Sequence, residues 1–311
     1  MYEDSNQCQP QVRTGPITWL NVALKNSVEK AVEEYLGHSW HLLYESDYSE
    51  FACHRCAIVS DGSFSVFFKY SEDAQAERQF AAEMSCLLTV SKLTGVLIPE
   101  LINIVSVTSG TLLLMRALVA VNRGAKQWRE IGRTLARIHR ITGDKYGFER
   151  NGFWGPLHQD NTPTSSWAEF FRERRLLPLL QTAIASGNIP QQVASDVENI
   201  IPRLPDLCGP DVTPTLLHGD AQQNNFVSTA EGAYVIDPAV YYGHPEMDLA
   251  LIDSWQPVPD AVFDGYRDEL PIDKDFRDRR YLWRIPLYLA AVTLEGPGHL
   301  PALIKSLSKN I

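Results

Sequence analysis

The chain contains 311 residues, of which 44% are hydrophobic and 21% charged, and its formal net charge is −10. This is ordinary globular composition, sufficient for one large or two medium domains. The acidic balance without a basic block disfavours nucleic-acid binding, which needs a positive surface. No apolar run reaches the roughly 18 residues of a membrane span, and the first residues lack the pattern of a signal peptide. We therefore expect a cytoplasmic protein without membrane contact.

Residues 1–117 are predicted to form a small α+β domain. An amphipathic helix from Ser27 ends at Gly37, and the runs HLLYES and CAIVS follow as strands. DGS from Asp61 predicts a tight turn into the strand FSVFFKY, and a helix is expected at about residues 72–91. The apolar runs ELINIVSV and TLLLMRA, separated by TSG, have the pattern of a hairpin. We expect an antiparallel sheet with one main helix.

Residues 118–311 are predicted to form a larger, mostly helical domain. The segment WREIGRTLARIHR places Ile131, Leu135 and Ile138 on one face at helical spacing. Ser166 and Glu169 have the spacing of a capping box, and residues 259–307 predict two or three helices. The segment LLHGDAQQNNFVSTAEGAYVIDP instead indicates short strands and turns. Two such domains should enclose a cleft, where small ligands usually bind.

The chain has five cysteines, at positions 8, 53, 56, 86 and 208. An odd and small number of cysteines in a chain of this length does not suggest a disulfide scaffold. The run CHRC has metal or redox spacing, but no second pair completes a set of four ligands. We therefore expect free thiols. A redox-sensitive Cys53 or Cys56 is the weaker alternative, because only His54 and Arg55 are near enough in sequence to lower a thiol pKa.

Three polar residues follow apolar runs in an order that indicates phosphoryl transfer. Asp220 comes after a short strand and a glycine, Asn225 lies five positions later, and Asp237 ends a second strand. One carboxylate can take the proton of an acceptor hydroxyl, while a carboxylate and an amide oxygen can hold metal ions that bridge phosphates. Asp and Asn are also common in solvated turns. The ordered set of three, with a strand before each aspartate, favours the functional interpretation.

A lysine and a glutamate earlier in the chain could hold the phosphates. Lys69 lies on the face of its strand opposite Phe64, Val66 and Phe68. In the next helix, Glu83 shares an apolar face with Ala76, Phe80 and Leu87. A charge buried there is costly unless it is paired, so a Lys69–Glu83 pair is expected. In the alternative interpretation, Lys69 is a surface lysine and Glu83 reaches solvent.

With these residues placed, the chain resembles the fructosamine/ketosamine-3-kinase family, within the aminoglycoside-phosphotransferase-like and protein-kinase-like superfamily. The resemblance covers about residues 63–311 and rests on motifs of unequal specificity. HGD with the following Asn is typical of the superfamily, whereas IDPAVYYGHPE and SWAEFFRERRL point to the family. FAAEMSCLL, IGRTLARIHR, YGFERNGFWGPLHQDNTPT and FDGYRDELPIDKDFRDRRYLWRI are similar to further family segments.

The resemblance implies a two-lobed fold, with the N-lobe at residues 1–117 and the C-lobe at residues 118–311. It implies ATP and Mg²⁺ as cofactors and a monomeric enzyme that phosphorylates a sugar hydroxyl of ketoamines, including glycated lysines, as a repair of glycation. The site residues that it implies, by role, are Asp220 as the base, Asn225 and Asp237 as magnesium ligands, Lys69 with Glu83 at the phosphates, and a hinge for adenine that includes Met115, Ala117 and Leu118.

Two departures from the family pattern keep alternatives open. The family usually has H-G-D-L-W-x-x-N, but Ala221 and Gln222 stand beside Asp220 here. This allows another acceptor, such as an aminoglycoside, an amino alcohol or a free sugar. The family's phosphate loop carries glycines, but the run SDYSEFACHRCAIVS has none before Gly62. This motivates a third hypothesis, a nucleotide-binding pseudokinase.

Other polar and aromatic residues of the second part are expected to be structural. His218 should orient the turn before Asp220, and His139 should be a packed helix residue. Asp248 should begin a helix or form a buried ion pair, and Glu246 either caps a helix or, with His244, lines the acceptor site. A final set is expected to pack or pair: Trp167, Phe170 and Phe171 in the core, and Arg174 and Arg175 with acidic neighbours.

Overall fold

The computed structural model describes residues 13–14, 16–51 and 53–310 of the chain. These residues form two compact units. The first contains the described residues up to Ala81 together with Pro99–Leu118, and the second contains Ala82–Ile98 and the residues from Val119 onward. The chain therefore passes through the second unit at Ala82–Ile98, returns to the first, and belongs to the second unit from Val119 onward.

An antiparallel sheet, six-stranded over the described residues, is the main element of the first unit. Its elements are β1 (Arg13–Thr14), α1 (Val22–Leu36), β2 (Tyr44–Asp47), β3 (Arg55–Ser60), β4 (Ser65–Ser71), β5 (Leu101–Val107) and β6 (Gly110–Arg116). The helix α2 (Ala76–Thr94) follows β4 and is shared between the units. The strand order is β1-β2-β3-β4-β6-β5. The predicted antiparallel sheet and the β5–β6 hairpin are confirmed.

The predicted starts of both helices were wrong, for a local reason in each case. The side chain of Asn21 accepts a hydrogen bond from the Leu24 N–H at 3.0 Å, so α1 begins at Val22 rather than at Ser27. Asp73 Oδ1 accepts the Gln75 N–H at 2.7 Å, which forms a turn and delays the second helix to Ala76. Short polar side chains thus set both starts.

The core of the first unit packs α1 against one face of the sheet. Val28, Val32 and Trp40 are buried there with the β4 residues Val66 and Phe68. Each fully buried side chain of this size contributes roughly 1.5–3 kcal/mol through the hydrophobic effect. Because side chains alternate along a strand, the residue after Phe68 points to the other face.

The second unit is mostly helical and contains short strand pairs. Its helices are α3 (Ala125–His139), α4 (Trp167–Phe170), α5 (Leu177–Ser186), α6 (Gln191–Ile200), α7 (Leu204–Leu207), α8 (Glu246–Leu251), α9 (Ala261–Arg267), α10 (Phe276–Trp283), α11 (Ile285–Glu295) and α12 (Leu300–Leu307). Its strands pair antiparallel as β7 (Gly152–Trp154) with β8 (Leu157–Gln159), β9 (Thr215–Leu217) with β12 (Tyr241–Gly243), and β10 (Phe226–Ser228) with β11 (Ala233–Val235). The expected short strands near Asp220 are confirmed.

Two expectations for helix ends and numbers were wrong. Ser166 is the residue before α4, but its side chain makes no capping hydrogen bond, so the predicted capping box with Glu169 is not formed. Residues 259–307 contain four helices rather than two or three. Pro286 lies in the first turn of α11, where a missing N–H costs little, and separates α11 from α10.

The predicted core residues of the second unit are confirmed. Ile131, Leu135 and Ile138 on α3 are fully buried, and so are Trp167, Phe170 and Phe171. Across the described ranges, none of the helices is long and apolar enough to cross a bilayer.

The expected free thiols are confirmed for Cys86 and Cys208, and Cys8 lies outside the described residues. Within the described part of the chain, no group of three or more His, Cys, Asp or Glu side chains is arranged to hold a metal ion.

The helices α3 and α9 cross with their backbones in contact at two glycines. A Cβ on Gly132 would lie 1.9 Å from the Val262 carbonyl oxygen, and a Cβ on Gly265 would lie 1.9 Å from that of Arg129. Any side chain at either position would therefore push the two helices apart.

We predict that Gly132→Ala lowers the free energy of unfolding by roughly 1–3 kcal/mol or more, because the added methyl group overpacks a backbone contact. Urea unfolding measures this change. Gly298→Ala is the matched control, since a Cβ there meets nothing within 4 Å, and it should change stability by no more than about 0.5 kcal/mol. Equal effects of the two substitutions would contradict the close helix crossing.

Candidate active site

The turn that carries Asp220 is built on a glycine in close contact with a neighbouring segment. Gly219 follows β9 with φ of 82°, and a Cβ there would lie 2.0 Å from the Ala239 carbonyl oxygen. The Ala239 N–H donates to the His218 carbonyl at 2.8 Å on the same side of the turn. Only glycine fits this position, both by its left-handed φ and by the space available.

A buried carboxylate of α8 holds the backbone of this turn. Asp248 Oδ2 accepts the His218 N–H at 2.7 Å, and its Oδ1 accepts the Gly219 N–H at 3.1 Å. The ring of His139, at the end of α3, contacts Oδ2 at 3.1 Å through Nε2 and the Tyr266 hydroxyl at 2.9 Å through Nδ1. Asp248 is only 1% exposed, and these donors offset the cost of burying its charge. The predicted structural roles of Asp248 and His139 are confirmed.

His218 orients the turn through both of its ring nitrogens. Nε2 lies 3.1 Å from the Ile236 carbonyl oxygen, and Nδ1 accepts the Asp220 N–H at 3.2 Å. This arrangement requires the neutral ring with its proton on Nε2. Burial lowers the pKa of His218, against the opposing effect of Asp248 and Asp237. His218 therefore has the orienting role that the sequence predicted.

The two carboxylate oxygens of Asp220 have different surroundings. Oδ2 accepts the Asn225 side-chain N–H at 2.9 Å and that of Gln222 at 3.2 Å. Oδ1 is buried and has no hydrogen-bond partner among the residues that the structure describes. Burial raises the pKa of the carboxylate, and the Trp154 indole is near enough to lower it in part. One oxygen is thus fixed by two amides, while the other is available to a ligand.

Burial and, to a lesser extent, the nearby charge of Asp237 raise the pKa of Asp220 to about 6, against the lowering effect of Trp154, Gln222 and Asn225. A carboxyl group with this pKa is mostly ionised at neutral pH and can accept a proton. Perturbed acids of this kind are typical of functional sites.

Asn225 and Asp237 are brought to the same place by neighbouring backbone. Asn225 is 6% exposed, and its side-chain nitrogen also donates to the Asp220 carbonyl at 2.8 Å. The Ile236 N–H donates to the Asn225 carbonyl at 3.0 Å, which places Asp237 next to this pair. Asp237 is the one non-glycine residue with positive φ in the described ranges, at 54°. Such a conformation is costly and occurs often at functional sites.

The expected phosphate residues, Lys69 and Glu83, lie in different units. Lys69 is 5% exposed on β4, with Cys56 opposite it on β3 and Leu113 opposite it on β6. Glu83 lies half-buried on the part of α2 that belongs to the second unit, where its charge contributes to the raised pKa of Cys86. The Lys69–Glu83 pair stays a prediction.

The expected hinge begins inside the sheet. Met115 is buried on β6, whereas Ala117 and Leu118 follow the strand and are half-buried. The Arg116 N–H donates to the Glu100 carbonyl at 2.8 Å, and the Ala117 N–H donates to the Ser65 carbonyl at 2.9 Å. Both N–H groups are therefore used by the sheet, so an adenine would have to be met by other backbone groups of this segment.

Sequence reasoning missed two groups beside Asp220. Gln222 was noted as a departure, and its position two residues after Asp220 could have suggested the hydrogen bond. Trp154 lies 66 positions earlier, and no local spacing signals its approach. It is carried by the β7–β8 hairpin, which Asn161 holds by donating to the Arg150 carbonyl at 3.1 Å.

The two neighbouring arginines differ in their partners. Arg174 pairs with Asp160 at 3.0 Å, as expected. The expectation of an acidic partner was wrong for Arg175, which is buried and donates to the Asn161 side chain at 2.7 Å and to the Asp160 carbonyl at 2.8 Å. Its guanidinium also lies 4.0 Å from the centre of the Tyr241 ring, so an aromatic face and carbonyl groups replace a carboxylate.

Glu246 and His244 lie in the interior of the second unit. Glu246 is the first residue of α8 and forms a buried ion pair with Arg279 at 2.6 Å, while the Trp283 indole donates to it at 2.8 Å. Burial lowers the pKa of His244 to about 4. The prediction for Glu246 considered only its position at the start of a helix. It did not foresee the ion pair with Arg279, which offsets the cost of burying the Glu246 carboxylate.

Comparisons with known proteins identify the family of this chain. The family model for fructosamine kinase matches residues 24–311. A probable ketoamine kinase of Synechocystis is 31% identical over 245 residues, which cover 77% of this chain and 80% of that protein. The crystal structure of a candidate fructosamine-3-kinase from Thermobifida fusca has a TM-score of 0.79 at 28% identity, and covers 92% of this chain and 98% of that one.

A more distant likeness concerns the fold alone. The aminoglycoside phosphotransferase APH(4)-Ia has a TM-score of 0.58 at 14% identity, over 91% of this chain and 96% of its own. Together with the antiparallel sheet of the first unit and the helices of the second, these comparisons confirm the predicted α+β, protein-kinase-like fold.

We predict that Asp248→Asn lowers the free energy of unfolding by about 2–4 kcal/mol, because the amide replaces one buried acceptor with a donor that faces an N–H group. Chemical denaturation measures the change. Asp264→Asn is the control, since Asp264 forms an exposed pair with Arg267, and exposed pairs contribute only about 0–1 kcal/mol. A loss at Asp248 no larger than at Asp264 would contradict the anchoring role.

Proposed function

The chain belongs to the fructosamine kinase family, and on this premise we propose that it is a monomeric, ATP- and magnesium-dependent kinase for the sugar hydroxyl of ketoamines. The family makes it an ATP-dependent phosphotransferase with a hydroxyl acceptor. The ketoamine acceptor is supported by the name of the Synechocystis relative. The observation that carries the mechanism is the unequal environment of the two Asp220 oxygens.

Asp220 is proposed as the general base. The acceptor hydroxyl would donate to Oδ1, the oxygen without a partner, while Asn225 and Gln222 hold Oδ2 in place. As the hydroxyl oxygen attacks the γ-phosphorus, its proton passes to Oδ1 and ADP departs with the former bridging oxygen. A pKa of about 6 leaves the base ionised at neutral pH and still basic enough to assist the transfer.

Asn225 and Asp237 are proposed as the ligands of Mg²⁺. Carboxylate and amide oxygens suit this ion. The Asn225 nitrogen is committed to Asp220, which leaves its amide oxygen for a metal, so the donor set fits. Two protein ligands are also consistent with the way Mg²⁺ binds, because it takes its other ligands from phosphates and water. When bound, the ion would neutralise charge on the phosphates.

Lys69, Glu83 and the segment that includes Met115, Ala117 and Leu118 are proposed to bind ATP. Lys69 supplies a buried ammonium for the phosphates. Because the N–H groups of Arg116 and Ala117 are used within the sheet, the adenine contact is assigned to the backbone at Leu118 and to carbonyl oxygens of the segment.

We predict that Asp220→Asn lowers kcat by about 10²–10⁴-fold, the usual contribution of a general base, while calorimetric binding of ATP persists. The substitution keeps the size of the side chain and removes its basicity. Asp144→Asn, at an exposed position of the same unit, is the control and should leave kcat unchanged. Full activity of Asp220→Asn would show that another group takes the proton.

Ala221 and Gln222 replace family residues beside the proposed base, so a second class of acceptor has to be tested against ketoamines. We predict that ADP release is fastest with a fructosyl-lysine ketoamine and slower with an aminoglycoside, an amino alcohol and free fructose, compared by kcat/KM. Asp220→Asn serves as the blank. A higher kcat/KM for one of the other acceptors would replace the ketoamine assignment, and ATP binding without transfer to any acceptor would indicate a pseudokinase.

A further inference from the structure

The loop between β2 and β3 has no glycine, and it is the segment that the resemblance assigns to the phosphates. This inference rests on the proposed ATP-dependent function. The loop begins after Asp47, contains a short 3₁₀ turn at Ser49–Phe51, and returns to the sheet at Arg55. Without glycine, the backbone has less freedom to adapt to phosphates. The loop therefore has to be held in a suitable shape by other means.

Side-chain hydrogen bonds hold both ends of the loop. Asp47 Oδ1 accepts the Ser49 N–H at 2.9 Å and the Ser49 hydroxyl at 2.6 Å. Across the loop, Ser49 Oγ accepts the Cys56 N–H at 3.1 Å, and the Tyr48 N–H donates to the Cys56 carbonyl at 2.9 Å. Cys56 in turn lies opposite Lys69 in the β3–β4 register. The closing residues of the loop are thus linked to the strand that carries the lysine.

Trp19, which precedes the residues matched by the family model, is hydrogen-bonded to the start of this loop. The family model begins at residue 24, but Trp19 donates from Nε1 to Asp47 Oδ2 at 3.0 Å. The Trp19 ring also stacks on Tyr70, with centroids 6.2 Å apart and planes within 6°, and meets the edge of Phe68 at 5.9 Å. Those two residues flank Lys69 on β4. Trp19 therefore contacts both the start of the loop and the strand beside it.

Further bonds fix the segment that carries Trp19. The strand β1 pairs with β2 at the edge of the sheet. The Ile17 N–H donates to Glu45 Oε1 at 2.7 Å, and Lys25 forms an ion pair with Glu45 Oε2 at 2.6 Å. Trp19 is therefore presented to Asp47 by a defined piece of structure rather than by a free end.

We propose that Trp19 is a positioning residue for ATP, which fixes the start of the glycine-free loop through Asp47. A loop that is already ordered loses less conformational entropy when it receives phosphates. The bonds of Asp47, Ser49 and Cys56 fix the two ends of the loop in this way.

The test compares two tryptophan variants that each lose one indole hydrogen bond. Trp19→Phe keeps an aromatic ring against Tyr70 and removes the donor to Asp47. Trp40→Phe is the control, because the Trp40 indole donates to the Phe64 carbonyl at 3.2 Å, at the opposite end of β4 from Lys69. Trp19→Phe should raise KM for ATP and the calorimetric Kd for ATP by about 3- to 10-fold, as expected for one hydrogen bond. It should leave kcat and the KM for the acceptor unchanged.

Trp40→Phe should lower thermal stability with no change in either ATP constant. Asp47→Ala removes the same hydrogen bond from the acceptor side. Adding Trp19→Phe to it should not raise KM for ATP further, because the two changes share one interaction.

Unchanged ATP constants in Trp19→Phe, or equal changes in Trp40→Phe, would overturn the proposal. Calorimetry needs no acceptor, so a wrong acceptor assignment leaves this test intact, whereas a protein that does not bind ATP would overturn both proposals.

Discussion

The carboxylate of Asp248 is the constraint on which the geometry around Asp220 depends. It is buried at the start of α8, and its two oxygens accept the backbone N–H groups of His218 and Gly219. A hydrogen bond to an ionised acceptor is stronger than one between neutral groups, so the turn is held in one conformation. His139 links the same carboxylate to α3, whose crossing with α9 is fixed by Gly132 and Gly265. The largest helix contact of the unit is thereby connected to a turn of a few residues.

From this anchor, hydrogen bonds run outward to the polar groups. His218 receives the Asp220 N–H on one nitrogen and faces the Ile236 carbonyl with the other. Ile236 immediately precedes Asp237, and its N–H donates to Asn225. The three polar residues are therefore connected through backbone bonds rather than through their own side chains alone. This explains how a segment of short strands can hold them with the precision that phosphoryl transfer requires.

Sequence reasoning succeeded where the information is local and failed where it is not. The helical spacing of Ile131, Leu135 and Ile138 predicted a buried face, because it depends on neighbours three or four residues apart. The order of Asp220, Asn225 and Asp237 predicted that they lie together, because a single short hairpin separates the last two. The anchoring of the turn by Asp248 and the approach of Trp154 to Asp220 depend on contacts between distant parts of the chain. The same limit explains Arg175, whose partners are carbonyls and an aromatic ring that no charge pattern could indicate. Helix starts were missed because one side chain, Asn21 or Asp73, decides each of them.

The segment before residue 24 has a practical consequence for comparing this chain with its relatives. An alignment or a cloning boundary drawn at the start of the family match would discard an indole that packs against Phe68 and Tyr70 and donates to Asp47 at the start of the neighbouring loop. A trimmed protein could keep every recognisable motif and still hold nucleotide loosely. A relative that shares the motif residues therefore need not share the residues that support them. On the proposal above, residues outside the family match contribute to the affinity for nucleotide.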